Sequence, residues 1–160
     1  MIQVHSTILL LLICLFLWGC GGDDRSGTEV GDQRNFSEEA AGKLPLLSHF
    51  LKLHPDRVIL KYAEADLDDD GRKDIIVIYR ADGEKNQMSV IRNVVAAPVE
   101  TNPLPAPISD QMIQFRNIDD TPPLEFILQG RKGAKVGYAI FRIEEGVLVD
   151  LFGDGMEDCC

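Results

Sequence analysis

From Val58 onward the chain alternates short runs of Val, Ile, Phe and Tyr with turn residues, a pattern of strands rather than helices. It predicts strands near residues 58–65, 74–80, 87–94, 111–117, 124–129, 136–143 and 147–152. Ala81-Asp82-Gly83, Arg131-Lys132-Gly133 and Glu144-Glu145-Gly146 are turn sequences, so neighbouring strands should pair as hairpins in an antiparallel meander. Upstream the period changes. Ala40, Leu44, Leu47, Phe50, Leu51 and Leu53 recur at mostly helical spacing behind Ser37-Glu38-Glu39, a helix-start signal. Pro45 breaks or restarts that helix, which places the secure part over residues 45–54. The expected fold is mainly β (α+β): a short N-terminal helix, then an antiparallel meander of about seven strands.

Residues 97–107 interrupt the strand pattern with four prolines, Pro98, Pro103, Pro105 and Pro107, which exclude helix and central strand. The segment reads as an extended surface connection. The two halves it separates resemble each other. Asp66-Leu67-Asp68-Asp69 aligns with Asn117-Ile118-Asp119-Asp120 at an offset of 51, and Asp74-Ile75-Ile76-Val77 aligns with Glu125-Phe126-Ile127-Leu128 at the same offset. Two degenerate repeats of strand, acidic loop, strand, turn and strand would follow, too few to close a propeller but enough for one twisted sheet or a small sandwich.

The first residues read differently again. Residues 8–18 form an apolar run too short for a bilayer-spanning helix, which needs roughly 20 residues. The run closes on Leu17-Trp18-Gly19-Cys20, which resembles the lipobox of bacterial lipoproteins and implies a diacylated Cys20, although residues 1–7 lack the usual Lys or Arg. The alternative is an ordinary cleaved signal peptide that leaves Cys20 as a thiol. Residues 21–35, rich in Gly, Asp, Ser and Thr, would be a flexible tether spanning roughly 20 Å. The resulting division is 1–19 signal peptide, 20–36 lipidated cysteine and tether, 37–153 β-rich domain, and 154–160 flexible acidic tail. Such a chain would sit outside the cytoplasm, anchored to a bacterial membrane through Cys20.

Charge and cysteine count narrow the chemistry. The formal charge of −10 falls wholly after residue 20, which speaks against nucleic acid and favours cations. Of four cysteines, discarding Cys14 and acylating Cys20 leaves only Cys159 and Cys160, so no internal disulfide framework is available. Stability must come from a hydrophobic core, with or without a metal. His49 and His54, five residues apart, lie on different helix faces and read as surface or packing residues rather than zinc ligands.

Asp66-Leu67-Asp68-Asp69-Asp70-Gly71-Arg72-Lys73-Asp74 places carboxylates at loop positions 1, 3, 5 and 9, with Gly at position 6. Calcium takes six to eight oxygen ligands around such a turn, with Asp66, Asp68, Asp70, the Arg72 carbonyl and Asp74 as candidates. A strand follows and Val77 stands at position 12, so this is no EF-hand; the loop resembles the calcium loops of FG-GAP and VCBS-type repeats. A solvated Asp-rich turn without an ion is the alternative. The second copy has Thr121 at the fifth position and Pro122 in place of Gly71, and should have lost the metal.

At the other end, Gly153-Asp154-Gly155-Met156-Glu157-Asp158-Cys159-Cys160 presents adjacent thiols among carboxylates that oppose thiolate formation. Neighbouring Cα atoms lie about 3.8 Å apart, short of the roughly 4.4–6.8 Å usual for a disulfide, so a bond between the two would be strained and easily reduced. A vicinal pair chelates soft ions such as mercury, arsenite or copper(I), because binding displaces the thiol protons. The exported, Asp-loop-bearing chain with its Gly-Asp-Gly and Cys-Cys ending resembles the Cys-Cys-COOH (seleno)protein family, in some of whose members the pair contains selenocysteine and which accompanies a proposed organometal system. Both positions are sulfur here. Three functions remain open: capture or relay of a soft metal or organometal through Cys159 and Cys160, thiol–disulfide exchange with a thioredoxin-like partner, and a calcium-stabilised interaction domain. An incidental pair of terminal cysteines is the bland alternative. The sequence shows no Ser-His-Asp arrangement and no phosphate-binding Gly-rich loop, which argues against catalysis by the domain alone.

Overall fold

A computed structural model describes residues 39–40, 42–83 and 85–155, all within one compact unit. Cys14, Cys20, Cys159 and Cys160 lie outside these residues. No helix among the described residues is long and apolar enough to cross a membrane.

Helix α1 (Pro45–Leu53) starts where Pro45 dictates. Leu44 before it is extended, as a residue preceding proline must be, and Pro45 takes the first helical position, where its missing N–H costs nothing. Leu46, Leu47 and Phe50 form the buried face. Nine strands follow: β1 (Val58–Ala65), β2 (Asp74–Arg80), β3 (Asn86–Arg92), β4 (Val99–Glu100), β5 (Leu104–Ala106), β6 (Ser109–Arg116), β7 (Glu125–Lys132), β8 (Lys135–Glu144) and β9 (Val147–Asp154). They form two antiparallel sheets. The first is β1-β2-β3, with β4 and β5 sharing the outer edge of β3; the second is the meander β6-β7-β8-β9.

The fold is therefore mainly β with the helix first, but the described residues form nine strands rather than seven. Both extra strands come from the proline-rich connection, which does more than link the halves. Prolines limit its strands to two and three residues and confine them to an edge, where a missing N–H is tolerated. Side chains complete the pairing. Thr101 donates its N–H to the Val90 carbonyl at 2.9 Å and accepts the Val90 N–H on its hydroxyl at 3.1 Å. Glu100 accepts from the Ser89 hydroxyl and contacts His54 Nε2, both at 2.7 Å, tying the end of α1 to β3. Asn102 donates to the Leu148 carbonyl at 3.0 Å and accepts the Leu148 N–H at 2.8 Å, reaching the second sheet.

Three layers result. β2 is buried on both faces up to Arg80, as its unbroken Ile-Ile-Val-Ile-Tyr run requires. Ile75, Val77 and Tyr79 face α1, where they pack with Leu47, Phe50, Ile59 and Ile91. Ile76, Ile78, Met88 and Val90 face the second sheet, against Phe126, Leu128, Ala139 and Phe141.

The two sheets are repeats, and they stack in the same sense. The pair Ile75↔Ile91 corresponds to Phe126↔Phe141, an offset of 51 in the second strand and 50 in the third, because the β7–β8 turn is one residue shorter. The helix-covered face of the first sheet thus corresponds to the face of the second sheet that packs on the first. The corresponding back face of the second sheet, with Ile127, Gln129 and Ile140, is covered by no described element.

Asn102→Ala should lower the unfolding free energy by about 2 kcal/mol, since it strips both partners from the Leu148 backbone. Chemical denaturation measures this. A loss below about 0.5 kcal/mol, the level of an ordinary surface substitution, would mean that the connection does not hold the sheets together.

Candidate metal centre

The loop between β1 and β2 is shaped by its own carboxylates. Asp66 accepts the N–H groups of Asp70 at 3.2 Å and Gly71 at 2.9 Å, closing a turn in which Asp69 and Gly71 both take positive φ. Asp74 heads β2 and is fully buried. Its two oxygens accept the N–H of Leu67 at 3.0 Å and of Asn93 at 2.8 Å, so one carboxylate pins the loop to the exit of β3. Burial pushes the Asp74 pKa up; those two N–H groups oppose the shift, and the nearby charges of Asp68 and Asp70 add to it.

Asp66, Asp68 and Asp74 each offer an oxygen within 4.8 Å of the others'. Asp68 is nine-tenths buried, with 10% of its side chain exposed. Its Oδ2 receives Arg92 Nε at 2.9 Å, whereas its Oδ1 is buried with no hydrogen-bond partner. A buried carboxylate oxygen without a donor is costly unless something positive approaches it. Of the sequence-predicted ligands, these three converge. Asp70 is not part of that cluster; it accepts the Arg72 N–H on Oδ1 at 2.9 Å and pairs with the Arg72 guanidinium through Oδ2. Arg72 also donates from Nε to the Asn93 carbonyl.

The second loop repeats the scaffold with a different cation. Asp120 has the same positive φ as Asp69, and Glu125 accepts the Ile118 N–H at 2.9 Å as Asp74 accepts that of Leu67. Here Arg142 supplies the charge: its Nη1 lies 2.8 Å from Asp119 and 2.9 Å from Glu125, and its Nη2 2.8 Å from Glu144. Those hydrogen bonds, to Glu144 and Asp119 foremost, push the Arg142 pKa up. The Asp119 pKa is held down to about 2, first by the Thr121 hydroxyl, then by the Thr121 N–H and Arg142.

Arg92 and Arg142 occupy matching places at the ends of β3 and β8, yet they act differently. Arg142 bridges Asp119 and Glu125; Arg92 reaches only Asp68 of the corresponding pair, and among the described residues Asp74 contacts no cation. Glutamate is one methylene longer than aspartate, which lets the second-repeat carboxylate meet its arginine. Among the described residues Asp74 is thus left without the cation contact that Glu125 has. Gly146, at a φ of 83° that favours glycine, lets Arg92 Nη1 approach its backbone, where a Cβ would come within 2.6 Å. Both loops line one cleft of about 660 Å³ that includes Asp68, Asp70, Arg92, Asp119, Arg142 and Glu144.

Sequence reasoning found the loop and the Asp74–Glu125 correspondence but missed both arginines. Their signal was their recurrence at the same point of each repeat. His54 is a packing residue of the α1 end, stacked near Phe50 and Tyr79 as well as meeting Glu100. Comparisons with protein-family models, with curated proteins and with solved structures find no match.

Arg142→Met should cost about 3 kcal/mol, because Glu125, 1% exposed, keeps a buried charge without its partner. Arg142→Met combined with Glu125→Gln should recover most of that loss in denaturant titrations, since the amide still accepts the Ile118 N–H. A double variant no more stable than the single would contradict the pairing.

The depressed Asp119 pKa also gives a pH signature. Its folded-state value lies below the unfolded one, so its contribution is present above about pH 4 and is lost as pH falls towards about 2. The melting-temperature gap between the native protein and Asp119→Asn should be widest above pH 4 and close near pH 2. A gap independent of pH would exclude this.

Proposed function

We propose that the protein is a calcium-stabilised binding module, tethered outside the cytoplasm to a bacterial membrane by a lipid on Cys20. Through Cys159 and Cys160 it captures or relays a soft metal or organometal. The observation that carries the calcium reading is the convergence of Asp66, Asp68 and Asp74, one of which, Asp68, has a buried oxygen with no hydrogen-bond partner. An all-carboxylate set suits a hard cation; zinc would ask for nitrogen or sulfur. Asp66, Asp68 and Asp74 would hold the ion directly, and further oxygens would come from the same loop and from water. The ion would join β1, β2 and the exit of β3, adding stability and fixing the loop shape; it performs no reaction.

The tether and the thiol pair rest on the sequence. The lipobox-like Leu17-Trp18-Gly19-Cys20 supports the anchor, and the vicinal thiols support a soft ligand. Hard and soft ions would then be sorted by chemistry, calcium to the loop and mercury-like ions to the tail.

Saturating calcium should raise the melting temperature over that in chelator by about 10 °C, the effect of a ligand near a hundred times its Kd on a domain of this size. Asp68→Asn should remove most of that rise. A melting temperature indifferent to chelator would overturn the calcium reading. Separately, a chain ending at Asp158 should lose stoichiometric Hg(II) or arsenite binding while its melting curve stays unchanged; retained binding would overturn the role of the pair and leave the calcium reading intact.

A further inference from the structure

The acidic loops gather at one end of the meander. The β1–β2 and β6–β7 loops and the β8–β9 turn line one cleft, so they share an end of the molecule, which carries Asp66, Asp68, Asp69, Asp70, Asp119 and Glu144. The β7–β8 turn lies at the opposite end of the second sheet, where Lys132 pairs with Lys135 and Arg131 with Val136. In a chain of net charge −10, this turn gathers three cations within five residues. Arg131 and Asp110 approach at 3.8 Å, but both are largely exposed and the pair is screened.

Large apolar side chains stand beside that turn. Val136 is 48% exposed, Tyr138 38% and Phe152 52%, and the Tyr138 and Phe152 rings lie 6.0 Å apart. Tyr138 belongs to the back face that the repeat leaves uncovered, and Phe152 pairs with Ile140 of the same face. An apolar, partly aromatic patch beside a basic turn, with Arg131 on the same face and Lys132 and Lys135 at the tip on the other, matches an anionic lipid interface, where rings enter the headgroup region and ammonium groups stay at its surface. A protein strand adding to β9 fits less well. The register of β9 against β8 shifts between Ile140 and Phe141, and such a bulge spoils an edge as a template.

We propose that the β7–β8 turn and the adjoining back face of the second sheet, with Arg131, Lys132, Lys135, Val136, Tyr138 and Phe152, dock on an anionic phospholipid surface. The acidic loop end then points away from the headgroups. The proposal goes beyond the calcium and thiol readings and needs neither.

Hydrogen exchange of the full chain tests it, with vesicles of pure phosphatidylcholine and of phosphatidylcholine and phosphatidylglycerol in equal parts. Localised exchange separates this contact from any contribution of residues 8–18. Amides of residues 131–140 and 150–155 should be protected on the anionic vesicles alone, and the protection should fade in high salt while residues 66–73 stay unchanged. Lys132→Glu with Lys135→Glu should weaken the vesicle-dependent protection by about tenfold or more. Phe152→Ser, at an exposed position that leaves the core untouched, should weaken it too. Equal protection on both vesicle types, protection at the acidic end, or no protection would overturn the proposal; the last outcome would leave the face to a protein partner.

Discussion

A buried carboxylate at the head of the second strand of each repeat is the constraint on which the loop end of this molecule depends. Asp74 and Glu125 are both essentially inaccessible to solvent, and each holds a loop by accepting its backbone N–H, from Leu67 or Ile118. A charge in that position demands a counter-charge, since removing a carboxylate from water costs several kcal/mol unless it is paired. The second repeat meets the demand with a side chain of its own, Arg142 on the neighbouring strand. The first repeat has Asp66 and Asp68 beside Asp74 and an arginine that reaches only Asp68. One scaffold has thus reached two solutions to one electrostatic problem, a side-chain guanidinium and, on this account, a metal ion.

The same-sense stacking explains why the layers close as they do. A repeat whose front packs on the back of the next cannot finish itself; it needs a cap at each end. Helix α1 caps the front of the first sheet with Leu47 and Phe50. The proline-rich connection acts as a brace, joining His54, Ser89 and Leu148 through Glu100 and Asn102. The back of the second sheet has no such cover among the described residues, and the exposed rings of Tyr138 and Phe152 stand there beside the basic β7–β8 turn.

Much of this was legible in the sequence, and the parts that were not have physical reasons. β1 and β2 fall within the expected ranges because β-branched runs bounded by Asp-rich and Gly-containing turns leave little choice. β4 and β5 were hidden because prolines mask a strand whose bonds are completed by Thr101 and Asn86 side chains. The offset of 51 exposed the repeat, but the one-residue shortening of the β7–β8 turn obscured the match of Arg92 with Arg142. Asp66, Asp68 and Asp74 converge as their spacing suggested. Asp70 does not, because Arg72, two residues on, competes for its carboxylate.

Calcium stoichiometry by isothermal titration calorimetry on the full chain is the most direct test of the central claim. If the first loop takes a metal and Arg142 already serves the second, one calcium binds per chain. Two ions per chain, or none, would contradict the account.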